Sequence, residues 1–149
     1  MKSILLINPT NSDKIREPGY FLMPLSLLYL AGTSRLVATT SILDLSVAKN
    51  KFMLSNNIGE FPYIDAVKEE VRRRKPDFVG VTCLFSGQFS MVLKIVDVVK
   101  EASPSSIVFI GGYHPTVFHK DIMLHCPNVD AVIIGEGEYR LINLIQDLN

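Results

Sequence analysis

The sequence predicts a three-layer, flavodoxin-like α/β domain: a doubly wound, five-stranded parallel sheet of order 2-1-3-4-5 with helices on both faces. Three observations predict it. Short apolar runs bounded by turn residues alternate with amphipathic stretches at helical spacing, the pattern of a parallel sheet covered on both sides. Five such repeats can be counted along the chain. The 149 residues, 48% of them hydrophobic, are enough to bury the core of one domain.

The elements follow in order. Ser3–Ile7 is the first strand, and after a polar loop over 8–20 comes a very apolar helix opened by Pro24. Its helical spacing puts Leu25, Leu28, Tyr29 and Gly32 on one face, with Gly32 expected to let the helix lie close to the sheet. Ser41–Leu45 is a weaker second strand, followed by an irregular stretch rich in Asn and Ser. The next helix carries Ile64, Val67 and Val71 inward and Glu69, Glu70, Arg72 and Arg73 outward as a solvated face. Lys75-Pro76-Asp77 ends it, because proline disfavours helical geometry in the residue before it. Phe78–Thr82 then reads as the buried central strand. Phe89, Val92, Val96 and Val99 mark the helix after it, Ile107–Ile110 the fourth strand and Ala131–Ile134 the fifth. Leu141, Leu144, Ile145 and Leu148 mark the last helix.

Composition narrows the function classes. Fifteen basic residues balance fifteen acidic ones, and no basic stripe interleaved with aromatics is present, so nucleic acid is not an expected partner. Cys83 and Cys126 lie far apart without CxxC or CxxxCxxC spacing, which excludes a zinc or iron–sulfur site built from this chain alone. The apolar run at the N-terminus is too short for a signal peptide, and the run over 21–32 is too short to span a bilayer. A soluble, cytoplasmic protein with two reduced thiols is the expectation.

In this fold, ligands bind outside the carboxyl ends of the strands, and the topology places the crevice at strands one and three. A phosphoryl receiver needs acidic residues after strand one, an aspartate ending strand three and a lysine ending strand five; those places hold Asn8, Thr82 and Gly135. A dinucleotide site needs GxGxxG after strand one, where the chain reads NPTNSDKIREPG. Thr10, Asn11 and Ser12 form a thin version of a flavin phosphate loop, with no tryptophan to stack an FMN ring. Glycines cluster instead after strand four (Gly111, Gly112) and after strand five (Gly135, Gly137), where bare backbone either makes a tight turn or admits a ligand. Thr82 and Ser86 add two hydroxyls near the end of strand three, able to bond a heteroaromatic nitrogen or a phosphate.

The segments PLSLLYLAG, KPDFVGVTCLFS, FIGGYHPT and VIIGEGE, in this order and spacing, resemble the cobalamin-binding domain that precedes the catalytic domain in B12-dependent radical SAM enzymes. The resemblance runs nearly end to end. It implies that cobalamin is the cofactor and that its nucleotide tail lies in a slot lined by Thr82, Ser86, Gly111 and Gly112. The wider set of candidate cofactor contacts adds Asn8, Pro9, Leu84, His114, Gly135, Glu136 and Gly137. The methionine-synthase type has a DxHxxG motif after strand one; the loop over 8–20 holds no histidine, so base-off binding without a histidine from that loop is expected. His114 lies after strand four, where helix capping is a plainer role than cobalt ligation. Cys83 reads as a small buried residue ending a strand rather than a nucleophile. Glu136 and Glu138 sit where the last helix begins, favoured there by its dipole and bordering either the cofactor or a further domain.

The resemblance further implies a carrier role, with S-adenosylmethionine and a [4Fe–4S] cluster in a C-terminal radical SAM domain and methyl transfer or a related radical reaction as the outcome. The chain stops at Asp147-Leu148-Asn149 without a linker, which reads as a fragment of such a protein. A different class, a cofactor-free module docking partners through Phe52, Met53 or Phe61, is the alternative, with an FMN electron carrier beside it.

Overall fold

The computed structural model describes residues 1–10, 23–55 and 60–148. Five parallel strands, β1 (Lys2–Asn8), β2 (Ala38–Asp44), β3 (Phe78–Thr82), β4 (Ile107–Gly111) and β5 (Ala131–Ile133), form one sheet of order β2-β1-β3-β4-β5. This is the doubly wound order expected. Among the described residues six α-helices cover it: α1 (Leu25–Ser34), α2 (Leu45–Leu54), α3 (Tyr63–Arg74), α4 (Phe89–Ala102), α5 (Tyr113–His125) and α6 (Glu138–Asp147). Among the described residues, no helix is long and apolar enough to cross a membrane.

Successive side chains of a strand point to opposite faces, so each strand feeds two cores. Leu5, Ile7, Val79, Val81, Val108 and Ile110 join the core under α3, α4 and α5. Ile4, Leu6, Phe78, Phe109 and Ile133 join the smaller core under α1 and α6, with Leu27, Ala31, Leu141 and Ile145. The amino-terminal edge of the sheet is fastened by side chains. The backbone N–H and hydroxyl of Ser3 donate to Asp77 at 2.8 and 2.9 Å, and these bonds hold the Asp77 carboxyl below its usual range. Asp130 accepts from the Val108 N–H and from Lys100 Nζ, both at 2.6 Å, tying β4 to α4 and the segment before β5.

Several expectations change in detail. Leu25, Leu28 and Tyr29 are exposed, Leu25 at 59% and Tyr29 at 67%, and the buried face of α1 is Leu27, Ala31 and Ser34. Gly32 has nothing near the position of a Cβ, so it does not serve a close approach to the sheet. β2 begins three residues earlier than Ser41, since Ala38, Thr39 and Thr40 pair with Lys2, Ser3 and Ile4. The stretch after it is helix α2, started by the Asp44 carboxylate accepting the N–H groups of Ser46 and Val47 at 2.9 and 3.3 Å. Leu148 is outside α6 and 46% exposed. Phe61 is core, and half-buried Phe52 packs on it with ring centroids 5.7 Å apart, so those two rings do not form an exposed docking patch. The ending of α3 is as expected: Lys75 adopts a left-handed conformation, φ 47°, just before Pro76.

Candidate functional site

The α1/α6 face of the sheet is thin where the site lies. Period-two alternation puts Leu6, Gly80, Thr82, Phe109, Gly111 and Ile133 on this face, and two of the six are glycine. The opposite wall is Ser26, Leu27 and Leu30 of α1, and the segment Gly135-Glu136-Gly137-Glu138 closes the end. Together they line a cavity of about 110 Å³ that is open at its mouth. The cavity therefore lies over β3 and β4, with Leu6 from β1 on one side and Ile133 from β5 on the other.

Seven of the residues expected from sequence line it: Thr82, Leu84, Gly111, Gly112, Gly135, Glu136 and Gly137. Asn8 ends β1, half-buried, and Pro9 is buried beside it; neither is part of the cavity wall. Asn11 and Ser12 of the proposed flavin loop, and most of the loop over 8–20, lie outside the described residues.

Ser86 and His114 pair with each other instead. His114 Nδ1 lies 2.9 Å from Ser86 Oγ, and the imidazole is held between the rings of Phe89 and Phe118, centroids 4.5 and 4.7 Å away. His114 is the second residue of α5 and does not cap it; Gly112 occupies the cap position. Burial holds the His114 pKa below the ordinary imidazole value, which keeps the ring neutral at neutral pH. With Phe89, Phe118 and Ile122 it lines a separate, more open hollow on the α4/α5 side.

The sequence reading missed three kinds of residue. Gly80 and Phe109 were hidden inside strand runs, yet the Phe109 ring lies directly over Gly80. The signal was available, since a glycine in mid-strand often marks a close approach. Leu27 and Leu30 were missed because the wrong face of α1 was assigned inward. Thr116, in the FIGGYHPT segment, is the third. Its hydroxyl donates to the Gly112 carbonyl at 2.8 Å and accepts from the Gly135 N–H at 2.9 Å, joining the two glycine loops.

The chemistry of the lining suits an apolar ring system carrying polar groups. Thr82 lines the cavity and is only 8% exposed, and its hydroxyl makes no hydrogen bond to any described residue. Bare backbone makes the room: a Cβ on Gly137 would stand 2.9 Å from Leu30 Cδ2, and one on Gly111 would stand 3.6 Å from Ile133 Cβ. No group of three or more His, Cys, Asp or Glu side chains able to hold a metal occurs among the described residues.

Cys83, directly after β3, is fully buried, and burial pushes its thiol up to about 11. Since thiolate is the reactive form, Cys83 in the folded chain should alkylate with iodoacetamide at pH 8 at least ~100-fold more slowly than in urea. Fast labelling of Cys83 in the native protein, located by peptide mapping, would contradict this. The raised pKa also means that stability is fully present below the ordinary thiol value, about 8.5, and declines as pH rises from there towards 11.

A doubly wound parallel sheet whose strand ends open on a glycine-lined, largely apolar cavity defines a cofactor-binding α/β domain. The family model described as the B12 binding domain matches residues 13–145, and the chain belongs to that family, whose cofactor is cobalamin. Among curated proteins it is 26% identical over 142 residues to the anaerobic magnesium-protoporphyrin IX monomethyl ester cyclase of Rubrivivax gelatinosus, covering 95% of this chain and 24% of that protein. It is 27% identical over 155 residues to the cytidylyl-2-hydroxyethylphosphonate methyltransferase of Streptomyces wedmorensis, covering 99% of this chain and 29% of that protein. The chain thus spans less than a third of the length of these relatives. Among solved structures, the cobalamin-dependent S-adenosylmethionine radical enzyme OxsB matches with a TM-score of 0.65 and 20% identity, over 99% of this chain and 19% of that one, which supports the fold.

Proposed function

We propose that this chain carries cobalamin base-off, with the nucleotide tail in the cavity beneath α1 and α6 and no histidine from the loop over 8–20 on the cobalt. The observation that carries this reading is the glycine-lined cavity at the strand ends of a chain matched by the B12 binding family over residues 13–145. Bound cobalamin supplies a cobalt centre able to carry a methyl group or an electron.

The chain's own residues would bind, orient and shield it. The Thr82 hydroxyl is placed to bond a polar atom of the tail, while Leu6, Leu27, Leu30 and Ile133 exclude water from its ring. Gly111 and Gly137 leave backbone where a side chain would fill the space. Leu84, which lines the cavity and is 42% exposed, offers apolar surface there. The names of the relatives support a parent protein in which a separate C-terminal domain, bearing a [4Fe–4S] cluster and S-adenosylmethionine, performs methyl transfer or related radical chemistry.

The test is titration of the chain with hydroxocobalamin, followed by absorbance and calorimetry. Saturable binding with a base-off spectrum is expected. Gly111→Trp should weaken binding by about 100-fold, since overfilling such a space costs up to ~3 kcal/mol. Gly111→Ala should fold normally, because its Cβ meets only ordinary contacts. A folded wild-type chain that binds no corrinoid would overturn the reading.

A further inference from the structure

We infer that Thr116 is a positioning residue of the corrinoid site, holding the loop after β5 in place as one wall of the cavity. The inference rests on the cobalamin reading above. Its observation is a single hydroxyl that serves two loops: it donates to the Gly112 carbonyl at 2.8 Å and accepts from the Gly135 N–H at 2.9 Å. The Thr116 N–H also donates to Gly112 at 3.1 Å, so the hydroxyl is fixed by the first turn of α5.

The two loops differ in what else holds them. Gly112 is locked by sterics, because the Cys83 carbonyl would lie 2.6 Å from any Cβ there and the His114 N–H donates to that same carbonyl at 3.2 Å. Gly135 is exposed, in a left-handed conformation with φ 68°, and nothing lies within 4 Å of its Cβ position. Nothing therefore crowds Gly135 on its Cβ side, and its N–H is held by the Thr116 hydroxyl. Gly135, Glu136 and Gly137 in turn form the end wall of the cavity, with Gly137 against Leu30 of α1. Removing the hydroxyl frees the wall without touching the ligand-facing surface.

The role predicts an effect confined to the part of the ligand that enters the cavity. Hydroxocobalamin carries the nucleotide tail, and cobinamide is the same corrinoid without it. Thr116→Val, which keeps the shape and removes the hydroxyl, should raise the Kd for hydroxocobalamin by about three- to tenfold, the worth of one hydrogen bond. It should leave the Kd for cobinamide within about twofold, because that part of the ligand does not reach the wall. Thr116→Ser, which keeps the hydroxyl, should restore hydroxocobalamin binding. Without any ligand, hydrogen exchange read by NMR should be faster at the Gly135 N–H in Thr116→Val and unchanged in Thr116→Ser.

Unchanged hydroxocobalamin binding by Thr116→Val, an equal loss for both corrinoids, failure of serine to rescue, or unaltered exchange at Gly135 would each overturn the assignment. A wild-type chain that binds neither corrinoid overturns the cobalamin reading and this assignment with it. Wild-type binding with an indifferent Thr116→Val overturns only the assignment.

Discussion

Replacing Gly112 with alanine is expected to destabilise the fold by about 3 kcal/mol, through backbone strain and a direct clash together. Gly112 has φ 110° and ψ −172°, a region that is essentially closed to residues with a Cβ. The added Cβ would stand 2.6 Å from the Cys83 carbonyl oxygen and 3.0 Å from its carbon, and both are backbone atoms that cannot swing away. Relief would require separating the loop after β3 from the start of α5, at the expense of the His114 N–H bond to Cys83 and the Ser86–His114 contact. Urea unfolding should show a lower midpoint with an unchanged slope. Gly135→Ala is the control: its φ of 68° carries the left-handed penalty of about 1 kcal/mol, but its Cβ meets nothing. If Gly112→Ala proves no more harmful than Gly135→Ala, the clash is not what reserves this position for glycine.

That contrast bears on what could be read from sequence. The glycine clusters after strands four and five were legible as punctuation, and both line the cavity, but the text of the chain does not separate a glycine locked by a neighbouring carbonyl from one in open space. Strands β1, β3 and β4 were legible because a strand buried on both faces needs an unbroken apolar run, and LLI, FVGVT and IVFI are such runs. The same apolarity concealed the facing of α1: LSLLYLAGTS is apolar on most sides, so helical period could not choose between Leu25-Leu28-Tyr29 and Leu27-Ala31. Helix α2 escaped because its one strong signal, the Asp44 cap, stands at the end of a strand, and its body SVAKNKFML has no sharp apolar stripe. His114 and Ser86 were expected to share the site's surface. Their mutual bond, 28 residues apart in sequence, depends on how α4 and α5 pack, which no local pattern encodes. The family resemblance supplied the cofactor; the cavity under α1 and α6 follows from the alternation of Gly80, Thr82 and Gly111 along neighbouring strands, a pairing that only the folded sheet displays.

Gly80 gives the second large effect, and it couples stability to the cavity. A Cβ at Gly80 would stand 2.4 and 2.5 Å from the Cζ and Cε2 of Phe109 and 3.0 Å from Leu6 Cδ2, deep in the α1/α6 core. Gly80→Ala is therefore expected to cost about 2 kcal/mol by overpacking. The Phe109 ring borders the cavity, and moving into it would narrow the space offered to a ligand. Gly80→Ala should thus lower the urea midpoint and also weaken hydroxocobalamin binding. If the ring is the cause of both, shortening it should relieve both. In a Phe109→Leu background the alanine should be milder by about 1 kcal/mol or more, a coupling that independent sites do not show. Phe109→Leu alone should bind hydroxocobalamin at least as well as the wild type, because it removes volume from the cavity wall. Additive losses in the double variant would mean that the space over Gly80 is held by Leu6 and the strand backbone rather than by the ring, and the site would then have to be regarded as fixed in width by the sheet itself.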